Sequence, residues 1–528
     1  MSLSPLGSYV RARAADAGGN AAEAASGYAA ALDATPDDAV LALRALRQAM
    51  AAGDEALALR AAGVLDRAGV LPSDARMVLL TRAVRVEDWA DAGRQIARIE
   101  KEGAFDFLVP VIRAWIAFGS GTGDPVAILD TGKGGALAGA YAAEHRALLL
   151  AAQGDIDDSV AAVRATALLG GGSSRNTTLR VAVAARLAAS GKTDKALSLL
   201  DGGDAVFVAA RARIAAGRPL AGTIDDPAEG ISALLAKLSA DISRERLPML
   251  AISLARNALV LAPDSSAAKL AMSEALASGD NVDEALAVLD RIPDDDILAS
   301  LALNQRVALL LRNGDRTAAL AAAEAAATAP GATVNDWSRL GDVRGQAGAF
   351  DGAAEAYARA IAMVQAGGGT APWTLWLLRG SALERAGRWN EARPELEKAA
   401  ALAPENAMVL NHLGYAQLER GENVDAAMKL VARASALRPE DAAITDSLGW
   451  AYYLRGDIPR AIETLERAVK GEPSESAINE HLGDAYWAVG RRYEARYAWR
   501  SALVFAEGDA VDRLRGKIDR GMPAKRTR

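Results

Sequence analysis

In the last third of the chain, small and bulky apolar residues recur at two nested periods. Gly341, Gly380, Gly414, Gly449 and Gly483 follow one another at spacings of 39, 34, 35 and 34 residues. Seven residues after each stands a second glycine: Gly348, Gly387, Gly421, Gly456 and Gly490. Then come an alanine (Ala353, Ala392, Ala427, Ala461, Ala495), a bulky residue four positions on (Tyr357, Leu396, Val431, Leu465, Trp499) and another alanine after three more (Ala360, Ala399, Ala434, Ala468, Ala502). Spacings of i, i+4 and i+7 share one face of a helix. Each period therefore predicts a first helix, a turn at the second glycine, where φ is often positive, and a second helix. The small positions should let the paired helices touch, and the bulky one should fill the gap to the next pair. Pro404, Pro439 and Pro473 close three of the pairs, because proline cannot continue a helix.

A period of 34 residues with this pattern resembles the tetratricopeptide repeat family. Trp337 and Trp376 match its aromatic position early in the first helix, here called helix A. Tyr452 and Tyr486 match its later helix A tyrosine. The resemblance covers residues 336–505, five repeats, and departs from the pattern in two turns, at Gly367-Gly368-Gly369 and at Glu422-Asn423. It implies an all-α fold, a right-handed α-solenoid of stacked helix-turn-helix units. It also implies a bacterial adaptor or scaffold. The segments Asn411–Tyr415, Asp446–Tyr453 and His481–Trp487 look like those of envelope repeat lipoproteins that serve as adaptors for proteases and cell-wall enzymes. The chain departs from those lipoproteins in lacking a signal and a lipid-accepting cysteine.

Residues 1–330 repeat more faintly. Gly19-Ala24-Tyr28-Ala31-Pro36, Gly191-Ala196-Leu200, Ala251-Ala255-Ala258-Pro263 and Gly314-Ala319-Ala323-Ala326 each match the second half of a repeat. The glycine-rich stretches Gly119–Gly123, Gly132–Gly135, Gly170–Gly172 and Gly217–Gly230 read as linkers. The expected organisation is a degenerate helical arm over 1–330, a regular array over 331–505, and a capping helix with a basic tail over 506–528. Within that last segment Asp509–Arg520 is the helix and Met522–Arg528 a disordered tail.

Composition agrees with stacked helices. Apolar residues are 51% of the chain but aromatics only 5%, and alanine, the best helix former, supplies the difference. A net charge of −7 is not that of a nucleic-acid binder. The absence of cysteine removes disulfides, thiolate metal sites and cysteine nucleophiles, and leans towards an oxidising compartment. No stretch of 18 apolar residues predicts a transmembrane helix. Residues 1–20 carry no export signal, which as written points to the cytoplasm. A leader removed before Met1, or a start set too late, would leave the same N-terminus on a periplasmic protein.

Candidate chemistry is sparse. Gly191-Lys192-Thr193 lacks the earlier glycine of a phosphate loop, where Arg186 stands, and reads as a helix-ending turn. The three histidines, His145, His412 and His481, form no metal-binding pair. His412 and His481 hold the same place in their repeats, which is architectural. No catalytic residue, cofactor site or metal site is predicted. In the resembling fold helix A lines the inner groove. The expected partner-binding residues are therefore Asn411, Tyr415 and Leu418, then Asp446, Trp450 and Tyr453, then Glu480, Asp484 and Trp487. Aromatic faces between carboxylates suit a protein or peptide partner rich in cations and amides. The competing reading packs these aromatics between successive A helices. Family members that clamp C-terminal carboxylates use Lys, Arg and Asn here, whereas Asn411, Asp446 and Glu480 are mostly acidic. The basic stripe Arg492-Arg496-Arg500 fits an acidic partner or an anionic membrane surface, or simply a solvated cap. The alternative function is a helical framework for an enzyme, of the glycosyl-transfer type, with its catalytic module in 75–245. Partner identity and oligomeric state stay open.

Overall fold

The computed structural model describes residues 4–130, 135–168, 173–329 and 332–522. The expected linker at Gly170–Gly172, most of that at Gly132–Gly135, and tail residues 523–528 lie outside them. Among the described residues every regular element is helical: thirty α-helices, running from Pro5–Ala17 to Asp509–Arg520, and one short 3-10 turn. The chain folds as two compact units, Met1–Ala322 and Ala323–Arg528.

The second unit is a stack of five helical hairpins. Helices A and B are Val334–Gln346 with Phe350–Ala366, Trp373–Arg385 with Trp389–Leu402, Ala407–Glu419 with Val424–Leu437, Ala442–Leu454 with Ile458–Gly471, and Ser476–Ala488 with Arg492–Val504. The second glycine of each repeat has φ between 67° and 82°, the left-handed turn that ends helix A. The first glycine is required by packing. A Cβ on Gly483 would lie 2.4 Å from the Trp499 ring, and one on Gly449 would lie 2.6 Å from Leu465. Gly341, Gly380 and Gly414 meet Tyr357, Leu396 and Val431 in the same way. The bulky residue thus sits on the glycine of its own repeat, where only a glycine leaves room for it, and it also packs towards the next helix, Val431 with Leu448 and Ala451, and Leu465 with Leu482 and Ala485.

The first unit also begins as hairpins: Pro5–Ala17 with Ala21–Ala34, Ala39–Ala52 with Glu55–Arg67, and Arg76–Arg85 with Trp89–Glu102. It does not continue as a simple row. The helix Pro248–Leu261 packs back on Ala39–Ala52 and Arg76–Arg85, and Pro227–Arg244 packs on Val109–Ser120 and Ala136–Gln153. Gly230 lies within the helix Pro227–Arg244 rather than in a linker as expected. A Cβ there would fall 2.1 Å from the Trp115 indole, so the glycine serves close packing. Trp115 is fully buried, and its Nε1–H donates to Nδ1 of the buried His145 at 2.9 Å.

Candidate functional site

The A helices of the last three repeats carry the predicted residues. Their starts are fixed by Asn406, Asp441 and Glu475, whose side chains accept backbone N–H groups of the first turn. Of the nine residues, Asn411, Tyr415, Trp450 and Trp487 are half-buried, and Leu418, Asp446, Tyr453, Glu480 and Asp484 are buried.

The buried carboxylates point along the stack, Asp446 to the next A helix and Glu480 and Asp484 to the C-terminal helix. His481 Nδ1 donates to Asp446, at 2.9 and 3.0 Å from its two oxygens. Burial disfavours the imidazolium, but Asp446, Asp484 and Glu480 outweigh it and raise the His481 pKa above its ordinary value. In the same manner His412 Nε2 lies 2.9 Å from Glu384 of the preceding A helix, and Arg420 donates to the same carboxylate.

The last A helix meets the C-terminal helix Asp509–Arg520. Arg513 forks onto both oxygens of Glu480 at 2.9 and 2.8 Å. Lys517 reaches Glu480 at 2.7 Å and both oxygens of Asp484 at 2.8 and 2.7 Å. Against the upward pull of burial, these bonds draw the Glu480 pKa down to about 2. For Asp484 burial prevails over Lys517 and the pKa stays above the ordinary carboxylate value. Leu514 is completely buried between these ion pairs and Trp499, in a cluster that Trp487, Ile518 and Met522 complete. Trp487 Nε1 donates to the Met522 carbonyl. Arg492 and Arg496 lie over the Trp487 ring, so two of the three residues of the basic stripe are occupied within the chain.

Between these closed contacts, an aromatic and acidic surface remains. Trp450 is flanked by near-parallel rings, Tyr453 at 4.6 Å and His481 at 4.1 Å. Its Nε1 donates to Glu419, which is exposed. Sequence reasoning did not select Glu419, although its spacing of four from Tyr415 places it on the same helical face. Burial, with Glu419, Asp446 and Glu384 nearby, raises the Tyr415 pKa. Met408, one turn before Asn411, is exposed.

Among the described residues no group of three or more His, Asp or Glu side chains is placed to hold a metal ion, and no helix is long and apolar enough to cross a membrane. Within 75–245, His145 is held neutral by burial, its pKa pushed down to about 3.

The tetratricopeptide repeat family model matches residues 377–442 and 447–510. Both matches fall on the helical hairpins just described. Residues 377–510 are tetratricopeptide repeats. No curated protein sequence matches the chain. Among solved structures it is similar to MamA, at 28% identity and a TM-score of 0.27, over 31% of this chain and 94% of that one. A tetratricopeptide repeat protein from Parabacteroides merdae matches at 14% identity and a TM-score of 0.40, over 47% and 95%. The APC/C hetero-tetramer Cut9–Hcn1 matches at 14% identity and a TM-score of 0.39, over 97% and 95%. Tetratricopeptide arrays are protein-interaction scaffolds, and the repeats of this chain build one.

Proposed function

We propose that the chain is an adaptor that docks a basic, amide-rich segment of a partner protein on the A-helix wall around Met408, Asn411, Tyr415, Glu419 and Trp450. The supporting observation is internal. The last stretch of the same wall already holds a basic amphipathic helix, Asp509–Arg520, through Glu480, Asp484 and a buried leucine. Trp450 is held rigid by its two flanking rings and Glu419, so its contact area is offered at low entropic cost. Leu418, Asp446, Tyr453, Glu480 and Asp484 are occupied by the fold and serve to position this surface. Trp487 belongs to the cap.

Affinity capture from the native host with wild type, Glu419→Lys and Trp450→Ala, each checked for an unchanged helical melt, tests the reading. A partner retained by wild type and lost by both variants is the expected result. Equal recovery on all three would overturn it. Trp487→Ala is a poor probe, since it also uncouples Met522 and the C-terminal helix.

A further inference from the structure

A separate feature lies in the first unit. Four helices, Ala39–Ala52, Glu55–Arg67, Arg76–Arg85 and Pro248–Leu261, enclose a cleft of about 40 Å³. Its walls are mainly apolar, with Ala49, Ala58, Val78 and Val260 among them. Arg256 and Thr81 also line it. The Arg256 guanidinium is half-buried and donates to the carbonyls of Met50, at 3.3 Å, and Ala51, at 2.9 Å. Among the described residues no carboxylate lies within ion-pair distance of it. The acids at the cleft are engaged elsewhere: Asp54 caps the backbone N–H of Leu57, and Glu55 pairs with Arg85 at 2.7 Å. The hydroxyl of Thr81, a residue only 2% exposed, has no hydrogen-bond partner. A half-buried cation without a counter-ion and a buried hydroxyl without a partner are both costly, and the two line one apolar space.

We infer that this cleft binds a single carboxylate carried on an apolar chain, with the guanidinium of Arg256 and the hydroxyl of Thr81 holding its oxygens. The volume admits one such head group, since a water takes roughly 30 Å³, and the apolar remainder would leave through the open side. A dianionic phosphate would bring a second charge that Asp54 and Glu55 oppose. Desolvation already lowers the Arg256 pKa, with Glu284 and Arg291 contributing in opposite directions, so an incoming anion would relieve a cation held at a cost.

A short fatty acid and a peptide C-terminus share this chemistry. Thermal-shift and calorimetric titrations of the full chain with hexanoate, hexanamide, acetyl-Leu-Leu as the free acid and acetyl-Leu-Leu amide separate the two sources. Saturable stabilisation by at least one acid and none by its amide is expected. A response to hexanoate alone assigns a free acid, and a response to the peptide acid alone assigns a chain terminus. Thr81→Val, which keeps the shape, should weaken binding about ten- to a hundredfold, the loss of one charge-assisted hydrogen bond. Arg256→Met should abolish it. If Arg256→Met does not fold, because it frees the helix end at Met50 and Ala51, the amide controls and Thr81→Val decide. Equal shifts from acids and amides, no saturable shift from either acid, or unchanged affinity in Thr81→Val would each overturn the assignment.

Discussion

The two units use the same hairpins and hold them together differently. In the second unit every strong contact is local: a bulky B-helix residue on the glycine of its own A helix, and a charged or aromatic side chain reaching the adjacent A helix. In the first unit the decisive contacts span long stretches of sequence. Arg256 ties down the end of the helix Ala39–Ala52, Tyr141 donates to Asp241, and Trp115 sits on Gly230. A row of repeats is close to one-dimensional, so its stability is approximately a sum of neighbouring terms. A unit closed on itself must order its non-local contacts together. The difference teaches where damage should stay local and where it should spread.

The sharpest test removes one fully buried tryptophan from each unit. Trp115→Ala should cost about 4–5 kcal/mol, the usual loss for emptying such a site with a hydrogen-bonded partner left behind in His145. Trp499→Ala, equally buried and donating to Asp484 at 2.8 Å, should cost a similar amount locally. Hydrogen exchange distinguishes the two. Trp115→Ala should lower protection across the helices from Ala39 to Leu261, whereas Trp499→Ala should expose only residues 476–522. Loss confined to 109–153 in the first variant would break the comparison.

The next largest effect comes from acid. Because Trp115 donates to Nδ1 of His145, the ring must carry its proton on Nε2 and stay neutral. Its folded pKa of about 3 lies below the unfolded value near 6.5. The unfolded chain therefore takes up the proton first. This stability is complete above pH 6.5 and is lost as pH falls towards 3, by ~1.4 kcal/mol per unit, or about 3 kcal/mol by pH 4. Urea titrations of wild type and His145→Gln at pH 7 and pH 4 measure it. The variant should lose that slope for the first unit, and equal slopes would contradict it.

The same contrast explains what could be read in the chain beforehand. The five hairpins of the second unit and the helix Asp509–Arg520 follow from periodicity and from glycines placed seven apart, which are local signals. The return of the helices Pro227–Arg244 and Pro248–Leu261 onto earlier helices leaves no periodic trace. Gly230 looked like linker composition because a glycine demanded by Trp115, more than a hundred positions away, is indistinguishable from one demanded by a turn. At the candidate site, phase correctly grouped Asn411, Tyr415 and Trp450 on helix A. It did not reveal that Glu480 and Asp484 had cations 33 to 37 positions downstream in Arg513 and Lys517. Nor did it select Glu419, whose role depends on Trp450 in the following repeat.

A smaller effect probes how the row of repeats ends. Lys517→Met leaves Asp484 without its cation and Glu480 with Arg513 alone. The lysine is partly exposed, so the cost should be about 2 kcal/mol rather than that of a fully buried pair. It should fall on the C-terminal helix. Tryptophan fluorescence should report it, because Trp487 and Trp499 pack against that helix. Circular dichroism of the remaining repeats should hold. Global loss of structure would mean that the last repeat is not an independent end.

The smallest effect has the opposite sign from that of His145, and so separates the units by pH alone. His481 is half-buried under Trp450 and faces Asp446 on the preceding A helix, with Glu480 and Asp484 on its own helix and with Arg513 and Lys517 neutralising those two from the C-terminal helix. Its folded pKa is raised above 6.5, so the folded state holds the proton more tightly than the unfolded chain does. That contribution is fully present below pH 6.5 and disappears as pH rises through the folded value. His145 is protonated only in the unfolded chain at the bottom of that window, so it adds stability to the first unit as pH rises towards 7 and nothing above that. Unfolding of the second unit followed from pH 6 to pH 9 should show a decline that His481→Gln flattens, while the first unit shows no histidine-linked decline. A His481→Gln chain that kept the decline would assign it to another group and would remove the link between the Asp446–His481 pair and the seating of Trp450.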